Sequence, residues 1–295
     1  MTRVAAVDLG TNSTRLLVAD VTDGRVDEVV RRSVVTRLGE GVDVRRRLLP
    51  LPVARVRNVL TDFRRELETL GAERTLAVAT SAVRDAENGE AFLGEVEWSY
   101  GFATKLLSGD DEARLTRRGV GALGAGTLLL DVGGGSTELS TDLTTTSIDI
   151  GSVRLTERFL HNDPPSVAEL GAATGAIIDL LPALDVSEAI GVAGTVGQLA
   201  ALADSAVITR DDVGRLVGEL ASLPLEERRR VPGLDPQRAP VIVAGALIVL
   251  TVLRRYDLDG IRFSVRDLLD GAALEAAELP ALDDGAVPPG AFTCC

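Results

Sequence analysis

The stretch AAVDLGTNSTRLL, residues 5–17, appears a second time in altered form as LLLDVGGGSTELS, residues 128–140. In each copy an apolar run ends in an aspartate, and glycine and small hydroxyl residues follow it. Five positions are identical in the aligned copies, namely Asp8 with Asp131, Gly10 with Gly133, Ser13 with Ser136, Thr14 with Thr137 and Leu16 with Leu139. Unrelated hairpins need not share five positions, so the repeat predicts two halves with the same fold.

The hydrophobic pattern around each copy predicts the same order of elements. Three strands joined by tight turns come first, and helices alternating with strands follow. The strands are RVAAVDLG, TRLLVADV and RVDEVVRRSVVTRLG in the first half, and TLLLDVGG, STELSTD and TSIDIGSVRLTERF in the second. This order predicts an α/β fold with a mixed sheet in each half. The glycine-rich run at residues 121–126 is the expected linker, which gives domains at residues 1–123 and 124–280 and a tail at 281–295.

The charge balance limits the ligands that the chain can bind. Acidic side chains outnumber basic ones by 44 to 31 in the 295 residues, and the net charge of -13 argues against a protein that coats nucleic acid. A polyanionic ligand must therefore be bound at a local cluster of positive charge. Arginines do cluster, at residues 45–47, 64–65, 114–118 and 228–230, but each cluster alone is typical of a solvated surface.

Cysteine usage and the apolar runs bear on the location of the protein. Its two cysteines, Cys294 and Cys295, stand at the end of the chain, so a disulfide framework inside the fold is excluded. We expect no signal peptide, because Asp8 interrupts the first apolar stretch. The apolar run at residues 241–253 is too short to cross a bilayer and predicts a buried helix. The expectation is a soluble cytoplasmic protein that binds neither membrane nor nucleic acid.

Missing side chains exclude several kinds of catalytic site. The chain has one histidine, His161, and one lysine, Lys105. A Ser-His-Asp triad, a histidine-rich zinc site and a Schiff-base lysine are therefore disfavoured, because each needs those side chains together with others. No GxxxxGK motif is present, so the chain is not a P-loop enzyme. Carboxylates, hydroxyls, arginines and backbone amides remain for catalysis and binding.

The repeated stretch has the composition of an anion-binding turn. Glycines after the aspartate let backbone N–H groups approach a phosphate closely, and small hydroxyl side chains add further contacts. The candidate phosphate-binding residues are Asp8, Gly10, Thr11, Asn12, Ser13 and Arg15 in the first copy, and Gly133, Gly134, Gly135, Ser136 and Thr137 in the second. Asp131 and Glu138 are candidate ligands of Mg²⁺, which binds one or two carboxylates together with phosphate oxygens and water. A tight β-hairpin with no ligand is the alternative.

Several motifs, in order along the chain, resemble those of known proteins. DLGTNSTR, DVGGGSTE and GVAGTVGQLA (residues 191–200) resemble the phosphate-1, phosphate-2 and adenosine motifs of the actin, sugar kinase and Hsp70 superfamily. ATSAVRDAENG (79–89), LLSGDDEARL (106–115), GSVRLTERF (151–159) and FSVRDLLDG (263–271) resemble motifs of the exopolyphosphatase and guanosine pentaphosphate phosphohydrolase family. The resemblance implies two actin-like (ribonuclease H-like) domains with the active site in an interdomain cleft.

The resemblance also implies a catalytic residue. The family's catalytic glutamate lies in a motif like SGxEEA, and Glu112 in SGDDEA matches it, whereas Asp111 replaces the first family glutamate. Glu112 would orient and deprotonate a water molecule. Ser108 and Asp111 have the spacing of a helix N-cap and its N3 residue, so a capping role is expected for Asp111.

A phosphate contact is implied for Arg84 in the motif SAVRDAEN. A guanidinium group matches phosphate oxygens in a bidentate geometry. The alternative for Arg84 is a surface ion pair with Asp85 or Glu87.

The sequence therefore predicts a Mg²⁺-dependent exopolyphosphatase, with Mn²⁺ as an alternative cation and inorganic polyphosphate as substrate. Short chains are expected to be preferred, because longer family members carry a further helical domain. Hydrolysis of guanosine pentaphosphate or of nucleoside polyphosphates is the alternative within the family. A kinase or switch that binds ATP or ADP at GVAGTVGQLA, and a polyphosphate sensor without activity, are alternatives of other classes. A homodimer is a further prediction.

Overall fold

The computed structural model describes Met1 to Pro280 in two compact units. Unit 1 comprises Met1–Gly119 together with the chain from Leu268, and unit 2 comprises Val120–Asp267. The predicted tail at residues 281–295, with its two cysteines, lies outside the described residues. Each unit is built on one sheet, with five strands in unit 1 and six in unit 2.

Unit 1 follows the predicted order of elements. Its elements are β1 (Thr2–Leu9), β2 (Ser13–Thr22), β3 (Arg25–Val35), α1 (Val42–Arg45), α2 (Pro50–Leu70), β4 (Arg74–Ala79), α3 (Ser81–Arg84), α4 (Gly89–Tyr100), β5 (Ala103–Leu106) and α5 (Gly109–Val120). The strands lie in the order β3-β2-β1-β4-β5. β1, β2 and β3 pair antiparallel, whereas β1, β4 and β5 pair parallel, so the sheet is mixed as predicted.

Unit 2 repeats this topology with one strand added. Its elements are β6 (Thr127–Val132), β7 (Thr137–Ser140), β8 (Thr145–Ile148), α6 (Ser152–Phe159), α7 (Val167–Leu180), β9 (Glu188–Val192), α8 (Ala193–Ala203), β10 (Val207–Thr209), α9 (Arg210–Ser222), α10 (Leu225–Arg228), α11 (Ile242–Arg255) and β11 (Gly260–Phe263). The order β8-β7-β6-β9-β11 reproduces the order in unit 1, and β10 extends the edge beside β11. The two units thus share a mixed α/β sheet with the same strand order.

The central strand β1 separates two apolar layers of unit 1. Side chains alternate between the faces of a strand, so Ala5, Val7 and Leu9 pack into one buried cluster while Val4 and Ala6 pack into another. The first cluster is covered by α2 and α4, and the second by α5 and the last helix, α12 (Leu268–Ala276). The burial of both faces explains the unbroken apolar run from Val4 to Val7 in β1.

The last helix lies in a different unit from the one expected. The sequence placed residues 124–280 in the second domain, whereas α12 packs on the sheet of unit 1 and its Leu268, Leu269 and Ala272 are buried there. Gly271 permits this close packing, because a Cβ atom there would lie within 1.9 Å of the Leu115 carbonyl oxygen on α5. The chain therefore leaves unit 1 after α5 and returns to it before α12.

One predicted strand is in fact two elements. The segment TSIDIGSVRLTERF was expected to be a single strand, but β8 ends at Ile148 and the helix α6 begins at Ser152. Apolar Val153 and Leu155 of α6 are buried, together with Arg154, in the first turn of the helix. The expectation was wrong because β-branched and apolar residues in a short window do not distinguish a strand from a helix.

The predicted buried helix near residues 241–253 is confirmed. α11 is buried along its length from Ile242 to Leu253 and forms the centre of the apolar core of unit 2. Within residues 1–280, no helix combines the length and the apolar character that crossing a bilayer requires.

Candidate active site

The first copy of the repeat forms a tight turn between β1 and β2. The Gly10 amide donates a hydrogen bond to the Ser13 carbonyl oxygen at 3.1 Å, which closes a four-residue loop. A Cβ atom at Gly10 would lie only 2.8 Å from that oxygen, so a larger residue would force the loop open. The glycine after the aspartate is therefore a requirement of the turn.

The second copy forms the same turn between β6 and β7. The Gly133 amide donates to the Ser136 carbonyl oxygen, again at 3.1 Å. Gly133 and Ser136 are the residues that align with Gly10 and Ser13. The hairpin that we considered as an alternative is thus present in both units. Anion binding by this hairpin depends on the direction in which its remaining backbone amides point.

Hydrogen bonds from the following segment fix the direction of the first turn. The Asn12 carbonyl oxygen accepts from the Thr36 and Arg37 amides at 3.0 and 2.9 Å, and the Thr11 carbonyl oxygen accepts from Gly39 at 2.8 Å. In a planar trans peptide the N–H points opposite to the C=O. The amides of Asn12 and Ser13 are therefore directed to the other side of the turn.

In unit 2 the start of a helix fixes the direction of the equivalent turn. The Gly133 carbonyl oxygen accepts from the Ser152 amide at 2.9 Å, and the Gly134 carbonyl oxygen accepts from the Val153 amide at 2.8 Å. The first amides of α6 thus find their partners in the turn. By the same planarity, the amides of Gly134 and Gly135 point away from α6.

The hydroxyl groups near the turns serve mainly to hold them. The Thr11 hydroxyl lies 2.8 Å from the Ser81 hydroxyl, at the start of α3. The Thr14 hydroxyl is 2.9 Å from that of Thr36, and the equivalent Thr137 donates to the Ile150 carbonyl oxygen at 2.6 Å. These bonds favour a structural role for the threonine hydroxyls and leave the backbone amides as the candidate anion-binding groups.

Asp8 and Arg15 form an ion pair beside the first turn. They are directly opposite each other in the β1–β2 ladder, and Arg15 Nε lies 2.8 Å from Asp8 Oδ2. Both side chains are largely buried, at 14% exposure for Arg15 and 5% for Asp8. The structure brings these two predicted phosphate-binding residues together, and the carboxylate balances the charge of the guanidinium.

Asp131 and Glu138 occupy the same pair of positions in unit 2. They are opposite each other in the β6–β7 ladder, both are buried, and the Ser147 hydroxyl donates to Glu138 Oε1 at 2.8 Å. Two carboxylates at directly opposed positions repel each other, and a cation relieves that repulsion. The donor set fits Mg²⁺, since that ion takes one or two protein carboxylates and completes its shell with phosphate oxygens and water. No cluster of three or more potential metal ligands occurs among residues 1–280.

Glu112 and Arg84 come together in unit 1. Glu112 lies in the first turn of α5 and is 7% exposed, and its Oε2 is 3.5 Å from Arg84 Nη1. Arg84 also donates to the Leu107 carbonyl oxygen at 2.8 Å, which orients the guanidinium. The ion pair of Arg84 is therefore with Glu112, and neither Asp85 nor Glu87 takes that place.

Asp111 has the capping role expected for it. Its amide donates to the Ser108 hydroxyl oxygen at 3.1 Å, and its Oδ2 accepts from that hydroxyl at 2.7 Å. This hydrogen bond, with a contact from Arg114, lowers the pKa of the Asp111 carboxyl below its ordinary value. Adjacent acidic residues thus differ in environment, because Asp111 caps the helix whereas Glu112 is buried beside Arg84.

Comparison with known proteins identifies the family. The model of the Ppx/GppA phosphatase family matches residues 17–278. The chain belongs to this family. Exopolyphosphatase 2 of Mycobacterium tuberculosis is 37% identical, over 94% of this chain and 99% of its own length. The crystal structure of an exopolyphosphatase-like protein matches with a TM-score of 0.86 at 31% identity, over 93% of this chain and 97% of that one.

A third relative in the comparison has a different name. The guanosine-5'-triphosphate,3'-diphosphate pyrophosphatase of Vibrio vulnificus is 29% identical over 92% of this chain. The match covers 58% of that longer protein. Both activities considered from the sequence thus appear among the names of Ppx/GppA relatives.

Two sets of residues at the candidate site of this Ppx/GppA chain were not predicted from the sequence. Ser147, which orients Glu138, lies opposite it in the β7–β8 ladder, so pairing the predicted strands in register would have found it. The backbone of residues 36–39, which fixes the first turn, contributes only amides. Backbone hydrogen bonds leave no signal in residue type, so no sequence pattern would have indicated this segment.

Proposed function

We propose that this Ppx/GppA protein is an exopolyphosphatase that releases terminal orthophosphate from inorganic polyphosphate. The repeated turn carries the proposal, because each unit directs two consecutive backbone amides away from the groups that hold the turn. Such amides bind phosphate oxygens, and inorganic polyphosphate consists of phosphate groups alone. The 37% identity to a protein named exopolyphosphatase, over nearly the whole of both chains, supports the same substrate.

Glu112 is the proposed general base. It is the buried carboxylate in the first turn of α5, and Arg84 beside it would bind phosphoryl oxygens. In the reaction a water oxygen attacks the terminal phosphorus while Glu112 takes a proton from that water. The bond between this phosphorus and the bridging oxygen breaks, and the shortened polyphosphate leaves with the bridging oxygen. Positioning and electrostatic stabilisation by the amides and by Arg84 supply much of the rate enhancement in phosphoryl transfer.

Asp131 and Glu138 are the proposed Mg²⁺ ligands, and Mn²⁺ would take the same oxygen donors. A bound divalent cation would neutralise charge on the phosphate oxygens. Ser147 holds Glu138 in place by its hydrogen bond to Oε1. In unit 1 the equivalent of Asp131 is Asp8, which has Arg15 opposite it in place of a second carboxylate. We therefore propose no metal in unit 1.

Hydrolysis of guanosine pentaphosphate is the second candidate function. The Vibrio relative, whose name specifies a guanosine polyphosphate, favours it. Against it stands the low aromatic content of 3%, which leaves few side chains to stack on a guanine. Binding through repeated phosphates needs no base recognition, so inorganic polyphosphate remains the first choice.

Phosphate release from the purified protein with Mg²⁺ distinguishes these functions. The substrates are short polyphosphate, long polyphosphate, guanosine pentaphosphate and ATP. We expect the highest kcat/KM for a polyphosphate, with short chains above long ones. A higher kcat/KM for guanosine pentaphosphate than for every polyphosphate length would favour the second function. Transfer of phosphate from ATP to an acceptor would place the protein among kinases, and binding without turnover would indicate a sensor.

Two accompanying predictions concern the state of the protein in the cell. A cytoplasmic location would give the enzyme access to cytoplasmic polyphosphate, and cell fractionation measures it. A homodimer is the predicted assembly, and light scattering of the purified chain measures its mass.

A further inference from the structure

A pocket outside the site described above lies within unit 1. It has a volume of about 610 Å³ and opens where the segment between α1 and α2 meets α4. This volume is within the range of pockets that bind small organic molecules, roughly 300–1,000 Å³. None of Asp8, Arg15, Arg84 or Glu112 lines it. The pocket is therefore separate in its residues from the proposed catalytic groups of its unit.

Much of the pocket wall is apolar. Leu49, Pro50, Val53, Ala91 and Phe92 contribute to it. Such a wall gains binding energy from covering the apolar surface of a ligand. An inorganic anion has no such surface, so the wall indicates a ligand with an apolar or planar organic part.

Several polar groups of the pocket are already engaged within the protein. The Arg57 guanidinium pairs with Glu95, with Nε 2.6 Å from Oε1. Asn88 accepts from the Leu48 amide at 2.8 Å and donates to the Leu48 carbonyl oxygen at 3.1 Å. These groups shape the wall of the pocket. Because Arg57 is paired with Glu95 and Asn88 is uncharged, any net charge of the pocket comes from other residues.

Arg45 and Arg47 supply that charge. Both side chains are exposed, both line the pocket, and neither has a carboxylate partner within 4.0 Å among residues 1–280. The start of α2 adds little to anion binding, because Pro50 and Pro52 lack an N–H group. Two arginines beside an apolar wall, in a chain of net charge -13, select for an anion with an organic body.

We propose that this pocket binds a nucleoside mono- or diphosphate. The phosphate groups would pair with Arg45 and Arg47, and the planar base would lie against the apolar wall, in which Pro50 and Ala91 are exposed. Arginine suits the phosphate end because its fork of N–H donors matches phosphate oxygens. The proposal concerns a second site and holds whether or not the catalytic site hydrolyses polyphosphate.

Calorimetric titration of the full-length protein with ADP, GDP and pyrophosphate tests the proposal. We expect ADP or GDP to bind, and the double variant Arg45→Gln/Arg47→Gln to weaken that binding at least about tenfold, since charge-assisted bonds to phosphate are lost. Arg46→Gln is the matched control, because Arg46 belongs to the same arginine run but does not line the pocket. It should leave the affinity unchanged.

A second variant fills the pocket from an exposed position. Ala91 on α4 is exposed, so Ala91→Trp adds a large side chain without changing the apolar core. We expect it to abolish nucleotide binding while polyphosphate hydrolysis stays at the wild-type rate. Nucleotide affinity that survives both Ala91→Trp and the double variant would overturn the proposal, as would the absence of ADP and GDP binding. Pyrophosphate binding as tight as that of ADP, with the same loss in the variants, would also overturn it.

Discussion

Asp8 and Asp131 show how a difference at one neighbouring residue separates the two halves of the repeat. Each aspartate is the next-to-last residue of a buried strand, but Asp8 faces Arg15 whereas Asp131 faces Glu138. The first pair is internally neutral, with Arg15 Nε 2.8 Å from Asp8. The second pair places two carboxylates at opposed positions, which favours a bound cation. The residue after the shared Ser-Thr is thus the difference on which the proposed metal assignment rests.

The metal assignment leads to the first prediction, which concerns thermal stability. Adding Mg²⁺ should raise the Tm of the wild-type protein, because a ligand that binds the folded state stabilises it, by about 2.7 kcal/mol at a concentration a hundredfold above Kd. Glu138→Gln keeps the shape and the acceptor for Ser147 but removes one charge, so the Mg²⁺-induced rise should shrink markedly. Thermal unfolding with and without Mg²⁺ measures it.

Asp8→Asn is the control for this prediction, since Asp8 is the unit 1 equivalent of Asp131 but faces Arg15 instead of a second carboxylate. It should lower the Tm by weakening the pair with Arg15, yet leave the rise on adding Mg²⁺ intact. An equal rise in Glu138→Gln and the wild type would show that Glu138 is not a metal ligand.

The second prediction concerns the proposed base. Glu112→Gln should lower kcat by at least ~10²-fold with little change in polyphosphate binding, because it removes the proton acceptor and keeps the side-chain volume. Asp111→Asn should cost far less, since Asp111 caps α5 through Ser108 and is not buried beside Arg84. Steady-state phosphate release measures both variants. Near-normal turnover of Glu112→Gln would refute the assignment.

At the scale of elements, the start of the helix α6 fixes the direction of the second glycine turn. Its first amides donate to the carbonyl oxygens of the second turn, so the helix sets the direction of the amides on the opposite side. Gly151, which precedes the helix, lies against that turn, and a Cβ atom there would be 2.5 Å from the Gly134 carbonyl carbon. The glycine that opens the motif GSVRL is therefore explained by a close contact between backbones.

This contact gives the third prediction. Gly151→Ala should displace the Gly134–Gly135 peptide and reduce kcat/KM at least about tenfold, with a stability loss of about 1–3 kcal/mol for the added bulk. Gly171→Ala in α7 is the control, because a Cβ atom there meets nothing within 4 Å. Gly171→Ala should leave activity unchanged. It should raise the free energy of unfolding by about 0.5–1 kcal/mol, because alanine is more stable than glycine in a helix interior. Kinetics and urea unfolding decide the outcome, and an active, stable Gly151→Ala would contradict it.

At the scale of the whole molecule, the chain crosses between its two units twice. Unit 2 is one continuous segment, Val120–Asp267, inserted between two parts of unit 1. The second part of unit 1 supplies α12, whose Leu268 and Leu269 are buried against the sheet. Burying a leucine contributes about 1.5–3 kcal/mol, so unit 1 depends on a helix that follows the whole of unit 2.

The fourth prediction follows from this arrangement. Residues 120–267 expressed alone should unfold cooperatively, because their apolar core is complete. Residues 1–119 alone should lack a cooperative transition, and joining residues 268–280 to them through a short linker should restore it. Circular dichroism during urea unfolding measures each fragment. Cooperative unfolding of residues 1–119 without α12 would show that the helix is dispensable.

The sequence by itself determined the repeat, the mixed sheets, the two glycine turns and the buried α11. These features depend on neighbours along the chain: alternating apolar residues, a glycine that lets a turn close, and a continuous apolar run. Ser108 and Asp111 belong here as well, because a helix cap lies within four residues. The acidic positions that end β1 and β6 were also found in this way.

Only the tertiary structure decided which partner each of these groups has. Arg15 pairs with Asp8, Arg84 with Glu112 and α12 with unit 1, through contacts that local composition does not specify. The helix α6 was mistaken for a strand because its short apolar pattern fits either element, and the partners of its first amides lie in a turn about 20 residues earlier in the chain. The pocket beside Arg45 and Arg47 depends on α4, roughly 45 residues further on, so the arginine run alone was indistinguishable from a solvated surface. The physical reason is the same in each case: burial and hydrogen-bond partners come from segments that are brought together only by folding.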